Sequence, residues 1–161
     1  MKRPILILFV LTGLLPVLLT GETYASKCVG VTDGDTVSVM KAGKAVKIRF
    51  EGIDRPERGQ DFGAKAKQFT SARVFGKEVE VREFYPDRYG RMVARVLVDG
   101  QDVSLELVKA GLAWHFKRYS SDPVLAVAES EARAARVGLW AMPNPVPPWE
   151  RRKSKRQESG L

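Results

Sequence analysis

Cysteine and histidine are almost missing from this chain of 161 residues: Cys28 and His115 are the only ones. One cysteine cannot form an intramolecular disulfide, so a disulfide-stapled fold is excluded, and Cys28 reads as a small buried apolar residue. One histidine excludes histidine-rich zinc sites and any scheme in which two imidazoles divide acid and base roles. No cysteine–histidine or serine–histidine pair is available to activate a nucleophile. Internal repeats are lacking as well. Long apolar runs are confined to residues 5–19, broken by Thr12, Gly13 and Pro16. That run is shorter than the roughly 20 residues a spanning helix needs. With Lys2 and Arg3 before it and Thr23-Tyr24-Ala25 after it, the segment reads as a signal peptide cleaved after Ala25. Residues 1–25 are therefore expected to direct export to the periplasm or the medium. An uncleaved membrane anchor is the competing reading.

What the chain has in excess is positive charge. Lys and Arg number 27 against 19 Asp and Glu, giving a formal charge of +8 and a pI near 9.8. Removing residues 1–25 takes away only Lys2, Arg3 and Glu22, so the basic character belongs to the mature domain. A polyanionic partner follows, with nucleic acid ahead of anionic membranes or polysaccharides. An inert basic surface is the alternative, because charge selects a class of partner and never a reaction. A hydrophobic content of 44% supports one domain with a real core.

Alternating apolar residues predict strands over residues 27–32, 36–40, 45–53, 78–84 and 92–98. Asp33-Gly34-Asp35, residues 41–44, residues 86–90 and Asp99-Gly100 separate them as turns and loops. A helix is expected over residues 62–75, with Phe62, Ala66, Phe69 and Ala72 as its stripe and Gly76 as its stop. Asp102 is placed to cap a second helix over residues 103–110. Asp122 and Pro123 open a third, which packs through Leu125, Ala128, Ala132 and Ala135 and ends at Gly138. Five strands with one helix between the third and fourth, then two more, suggest an α+β fold: a five-stranded OB-fold β-barrel with three packed helices. The domain is expected over residues 26–148. Residues 149–161 read as a basic, disordered tail, with a phosphate-contacting arm as the functional alternative.

Three polar clusters interrupt or end strands: Asp33-Gly34-Asp35-Thr36, then Arg49 with Asp54-Arg55-Pro56-Glu57, then Asp87-Arg88-Tyr89-Gly90-Arg91. Strand ends of a small barrel can converge on one rim. Phosphodiester hydrolysis needs a hard cation held by oxygen ligands, a base for the attacking water, and donors for the charge on the phosphoryl oxygens. Asp35 and Asp54 suit the first task, Glu57 the second, and Arg49 and Arg91 the third, since guanidinium stays protonated and matches phosphate geometry. Asp33 can support the site through water. Singly, each cluster reads as well as a turn or a surface decoration.

Taken in order, these clusters together with Gly138-Leu139-Trp140 resemble the signature set of the staphylococcal nuclease family, over roughly residues 27–148. The resemblance implies an OB barrel with three helices and calcium-dependent cleavage of DNA and RNA with little sequence specificity. It also implies a preference for single-stranded or breathing regions, and 3′-phosphate products. Asp35 and Asp54 match the metal-binding carboxylates, and Arg55 matches a position that binds metal through its backbone carbonyl. Arg49, Glu57 and Arg91 match the catalytic residues. Arg88 and Tyr89 fall in the substrate-contacting loop, and Tyr119 matches a second substrate tyrosine or is a packing residue. Ca2+ is the implied cofactor, with no small-molecule cofactor beside it, and a monomer is expected. The membrane is a partner only if the leader stays attached. The departure is Arg55 itself, where relatives carry small residues: a guanidinium there must point away from the cation or pair with an acid. A non-catalytic OB-fold nucleic-acid-binding module is the alternative function.

Overall fold

The computed structural model describes residues 21–160. Most of the expected leader lies outside them. Its last positions do not: Thr23, Tyr24 and Ala25 already belong to β1 (Thr23–Asp33), paired with Arg82, Val81 and Glu80. The expected cleavage point after Ala25 therefore lies within that strand.

β2 (Thr36–Lys41) and β3 (Lys44–Phe50) form a hairpin whose two loop residues, Ala42 and Gly43, both have positive φ, 48° and 76°. That geometry matches the twist of the flanking strands. Val37, Val39, Ile48 and Phe50 alternate into the core. A short β4 (Ile53–Asp54) follows, then helix α1 (Gly63–Val74), β5 (Glu78–Pro86), β6 (Met92–Val98) and a two-residue β7 (Gln101–Asp102). The antiparallel sheet runs β3-β2-β1-β5-β6-β7, and parallel pairing of Ile48, Arg49 and Phe50 with Met92, Val93 and Ala94 closes it into a barrel. This is the OB-fold architecture expected from the strand count.

Helices α2 (Val103–Lys109) and α3 (Pro123–Ala134) begin as the sequence predicts. Asp102 and Asp122 accept hydrogen bonds from the backbone N–H of Ser104 and Val124, each at 2.8 Å. Between them β8 (Trp114–His115) pairs with β4. Two packing stripes differ from expectation. In α1 the buried residues are Ala66, Thr70 and Val74, with Phe62 and Phe69 partly buried and Ala72 exposed. Thr70 is burial-competent because its hydroxyl donates to the Gly34 carbonyl at 2.7 Å. In α3 Glu129 is buried and Ala135 is exposed. The Glu129 carboxylate accepts from the His115 backbone and lies 3.2 Å from Lys117 Nζ and 3.4 Å from Arg133 Nη2.

A 3-10 turn, Gly138–Ala141, packs its Leu139 and Trp140 with Trp114 and Ala132. The tail is the largest correction. Instead of disorder, residues Pro148–Glu158 form a helix, α4. Pro148 at the first helical turn fixes φ where no backbone donor is needed. Trp149 then stacks on Phe116 with ring centroids 5.3 Å apart and planes at 5°. Among the described residues no helix is long and apolar enough to cross a membrane.

Candidate active site

The turn between β1 and β2 is pressed against α1. A Cβ added to Gly34 would lie 2.7 Å from the Ala66 Cβ, so only glycine lets the turn approach this closely. The turn holds Asp35 at 3% exposure. Its Oδ2 accepts from the Arg55 backbone N–H at 3.2 Å and lies 3.1 Å from Arg49 Nη2, while Oδ1 accepts from the Thr36 hydroxyl at 3.1 Å.

Barrel closure supplies the remaining groups. Arg49 pairs in register with Thr36 on one side and Val93 on the other, so it stands where three strands meet. Its guanidinium donates to the Phe50 and Ile53 carbonyls at 2.7 Å each, and Nη2 also lies 3.4 Å from Asp54 Oδ1. One guanidinium thus spans the two buried carboxylates. The loop entering β6 brings Arg91, clamped by Asp87 through contacts of 2.8 Å from Nε and 2.7 Å from Nη2. Its Nη1 reaches Thr36 Oγ1 at 3.4 Å.

The Arg55 side chain pairs with acids. It lies 3.1 Å from Asp33 Oδ2 and 3.6 Å from Glu57 Oε2, and it donates to the Pro56 carbonyl. This is the pairing with an acid expected from the sequence for an arginine at this position. Glu57 is further held by its backbone N–H, which donates to Gln60 Oε1 at 2.7 Å.

All ten residues singled out in the sequence line one cleft of about 1380 Å³. Asp33, Asp35, Arg49, Asp54, Arg55 and Glu57 form a connected charge cluster at one end. Arg91 reaches it through Thr36. Arg88 and Tyr89 stand further out, with Arg88 Nη2 donating to the Tyr89 hydroxyl at 2.6 Å. Tyr89 and Tyr119 are 68% and 61% exposed. The Tyr119 ring meets Phe116 edge to face, so it is anchored while one surface stays open. Sequence reasoning missed Arg152. Its guanidinium enters from α4, 2.6 Å from Asp54 Oδ2 and 2.5 Å from Glu57 Oε1. The only sequence signal was a basic helix-forming segment behind a proline.

Electrostatics divide the two aspartates of the turn. Burial pushes the Asp35 carboxyl up to about 6, with Asp33 and Asp54 adding to the rise and Arg49 opposing it. Burial also raises Asp33, but hydrogen bonding with Asp35 and the charge of Arg55 outweigh it and hold Asp33 below its usual range. Exposure supports the assignment, since the Asp33 side chain is 23% exposed and that of Asp35 5%. The remaining donors are hard oxygens. Among the described residues no three His, Cys, Asp or Glu side chains converge into a closed cage. Two carboxylates beside backbone carbonyls and solvent fit a calcium-type ion, which completes its shell with carbonyl and water oxygens.

Residues 47–142 match the family described as staphylococcal nuclease homologue. The chain belongs to the staphylococcal nuclease family. Similar family members span bacteria and plants. An uncharacterized endonuclease of Escherichia coli O157:H7 is 47% identical over 124 residues, covering 76% of this chain and 81% of that protein. A micrococcal nuclease of Shigella flexneri is 33% identical over 144 residues, 83% of each chain. The staphylococcal-like nuclease CAN1 of Arabidopsis thaliana is 44% identical over 113 residues, 70% of this chain and 35% of that longer protein. The matched stretch contains Arg49, Asp54, Arg55, Glu57 and Arg91, and the Asp33-Gly34-Asp35 turn precedes it. A staphylococcal nuclease family member with this cleft is a nuclease, a hydrolase acting on phosphodiester bonds.

Proposed function

We propose that the protein is a calcium-dependent endonuclease that cuts DNA and RNA with little sequence specificity, working as an exported monomer. The observation that carries the reading is that two buried carboxylates, a third carboxylate and two phosphate-type arginines meet in one cleft. A module that only binds nucleic acid has no need of buried acids beside phosphate, since each costs desolvation and repels the ligand.

Asp35, Asp54 and the Arg55 carbonyl would hold the ion, with Asp33 supporting it through water. Bound there, Ca2+ supplies polarisation of a phosphate oxygen and neutralises charge that develops on it. Glu57 orients the attacking water and accepts its proton. Its backbone N–H donates to Gln60, which fixes the segment that carries it, and its Oε2 lies within ion-pair reach of Arg55 at 3.6 Å. Arg49 and Arg91 donate to the phosphoryl oxygens as negative charge builds, and Asp87 keeps the Arg91 fork aimed into the cleft. Tyr89 and Tyr119 offer aromatic faces on which any base stacks, which supports tolerance of sequence. Export rests on the apolar leader and is checked by N-terminal sequencing of protein recovered outside the cytoplasm.

The decisive assay is digestion of plasmid DNA and of structured RNA across a calcium titration, repeated with excess chelator and with Glu57→Gln. Calcium-dependent fragmentation of both polymers, abolished by chelator and by the variant, is expected. Retained nucleic-acid binding with no cleavage at any calcium concentration would leave a binding module in its place.

A further inference from the structure

The C-terminal helix reaches two acids of the cleft, Asp54 and Glu57. α4 is anchored at its start by Trp149, which stacks on Phe116 and lies edge-on to Trp114. The approach to it is fixed by Gln60 Nε2 donating to the Val146 carbonyl at 3.1 Å. One turn after Trp149, Arg152 drops its guanidinium between Asp54 and Glu57. It contacts both Asp54 oxygens, at 2.6 and 3.4 Å, and Glu57 Oε1 at 2.5 Å. Asp54 is 4% exposed and already shared with Arg49. Arg152 therefore occupies both oxygens of one carboxylate assigned to the cation and one oxygen of the carboxylate assigned to the water. Arg49 reaches its acids from β3 and Arg55 from the segment that follows β4, whereas Arg152 arrives on a separate helix outside the barrel, packed through Trp149.

We propose that Arg152 is a tethered cation that closes the site. While α4 is docked, its guanidinium competes with the divalent ion for Asp54 and with the attacking water for Glu57 Oε1. When the ion enters, Arg152 is expelled and α4 loosens. The nuclease is thus autoinhibited by its own C-terminus, with calcium and α4 as mutually exclusive partners of the same carboxylates. The inference rests on the cation reading given above.

Competition lowers apparent affinity by the fraction of molecules whose site is open. Calcium binding to the full chain, without nucleic acid, is measured by titration calorimetry on wild type, Arg152→Gln and Arg151→Gln. Arg151 is an exposed neighbour on the same helix, so its loss matches the charge change without touching the acids. Arg152→Gln is expected to tighten calcium binding roughly ten- to a hundredfold, the factor for an open fraction between about one in ten and one in a hundred. Arg151→Gln should stay within about twofold, as expected for a solvent-screened charge. In the wild-type protein, calcium should speed amide hydrogen exchange in residues 150–158. Equal affinities for wild type and Arg152→Gln, or tightening of the same size in Arg151→Gln, overturn the gate while leaving the cation reading intact. So does α4 exchange that calcium leaves unchanged or slows. Absence of calcium binding in all three proteins defeats the cation reading, and the gate with it.

Discussion

Asp35→Asn separates what the site costs the fold from what it does. The carboxyl is pushed from its ordinary 3.8 to about 6, chiefly by burial, with Asp33 and Asp54 adding to the rise and Arg49 opposing it. At 1.36 kcal/mol per pH unit, keeping it ionised at neutral pH costs roughly 3 kcal/mol. The sign follows from linkage. A carboxyl whose folded pKa exceeds the unfolded value favours the protonated folded state. The native state therefore loses stability as pH rises from about 4 through 6, and the loss is complete above that window. Asparagine removes the ionisation and keeps the shape. Its oxygen can take the place of Oδ2, accepting from the Arg55 N–H and facing Arg49. Its amide then takes the place of Oδ1, and the Thr36 hydroxyl turns from donor to acceptor. Without calcium, Asp35→Asn is expected to raise stability at pH 8 by about 1–3 kcal/mol, the lower figure allowing for weaker pairing with Arg49. That is a rise of roughly 4–10 °C in Tm for a domain of this size. At pH 4 the gain should vanish, and activity should be lost at every pH. Thermal melts from pH 4 to 8 with chelator present are the assay. A variant less stable than wild type at pH 8, or a gain that grows toward acid, would refute the burial argument.

Other perturbations test the cleft and its supports. Arg91→Ala should lower turnover at least about a hundredfold, the scale for losing one transition-state donor, with little change in Tm. A near-normal kcat would remove Arg91 from the chemistry. Gly34→Ala drives a methyl to within 2.7 Å of the Ala66 Cβ and should displace Asp33 and Asp35. We expect about 1–3 kcal/mol of destabilisation together with weakened cleavage, both partly restored by Gly34→Ala/Ala66→Gly; failure of that rescue would place the defect elsewhere. Gly138 has φ 58°, and a Cβ there would meet the Gly111 carbonyl oxygen at 2.3 Å, so Gly138→Ala should cost about 3 kcal/mol in urea denaturation. An unchanged midpoint would show that the Gly111–Gly138 contact is not tight in solution.

The parts legible in the sequence were those with local causes. β2 shows Val37 and Val39 alternating, and the Ala42-Gly43 hairpin accepts positive φ. α2 and α3 announce themselves through Asp102 and through Asp122-Pro123, whose side-chain caps form as expected. The site motifs were visible because each stands at a strand end, and closure of β3 on β6 is what draws those ends together. Elements with non-local causes were not legible. β4 and β8 have two residues each and no periodicity to read. Thr70 entered the α1 core only because a carbonyl 36 positions away accepts its proton. Glu129 is buried in α3 only because Lys117, from before the helix, and Arg133, one turn on, pair with its carboxylate. α4 has no apolar stripe; one tryptophan and one arginine hold it, and the carboxylates that receive Arg152 lie 95 and 98 positions back.

At the acid end of the cleft six ion pairs form one chain: Asp33 to Arg55, Arg55 to Glu57, Glu57 to Arg152, Arg152 to Asp54, Asp54 to Arg49 and Arg49 to Asp35. Every guanidinium in it touches two carboxylates. A cation that takes Asp35 and Asp54 strips the buried Arg49 of both its acids even when Arg152 leaves with α4, and a phosphate entering alone must draw an arginine off a buried carboxylate. Each event by itself leaves an uncompensated buried charge, which costs several kcal/mol when a pair is broken. Arriving together, the cation takes the acids and the phosphate takes the released arginines, so neither charge is stranded. The proposed ion and the substrate should therefore bind with positive coupling. A value of about 1–3 kcal/mol is typical, seen as roughly five- to a hundredfold tighter calcium binding when an uncleavable oligonucleotide is present. Thermodynamic reciprocity requires the same factor for oligonucleotide affinity when calcium is present. Calorimetric titrations in both orders measure it. Independent binding, with a coupling factor near one, would show that the arginines of this chain do not exchange partners and that the phosphate reaches the cleft by another route.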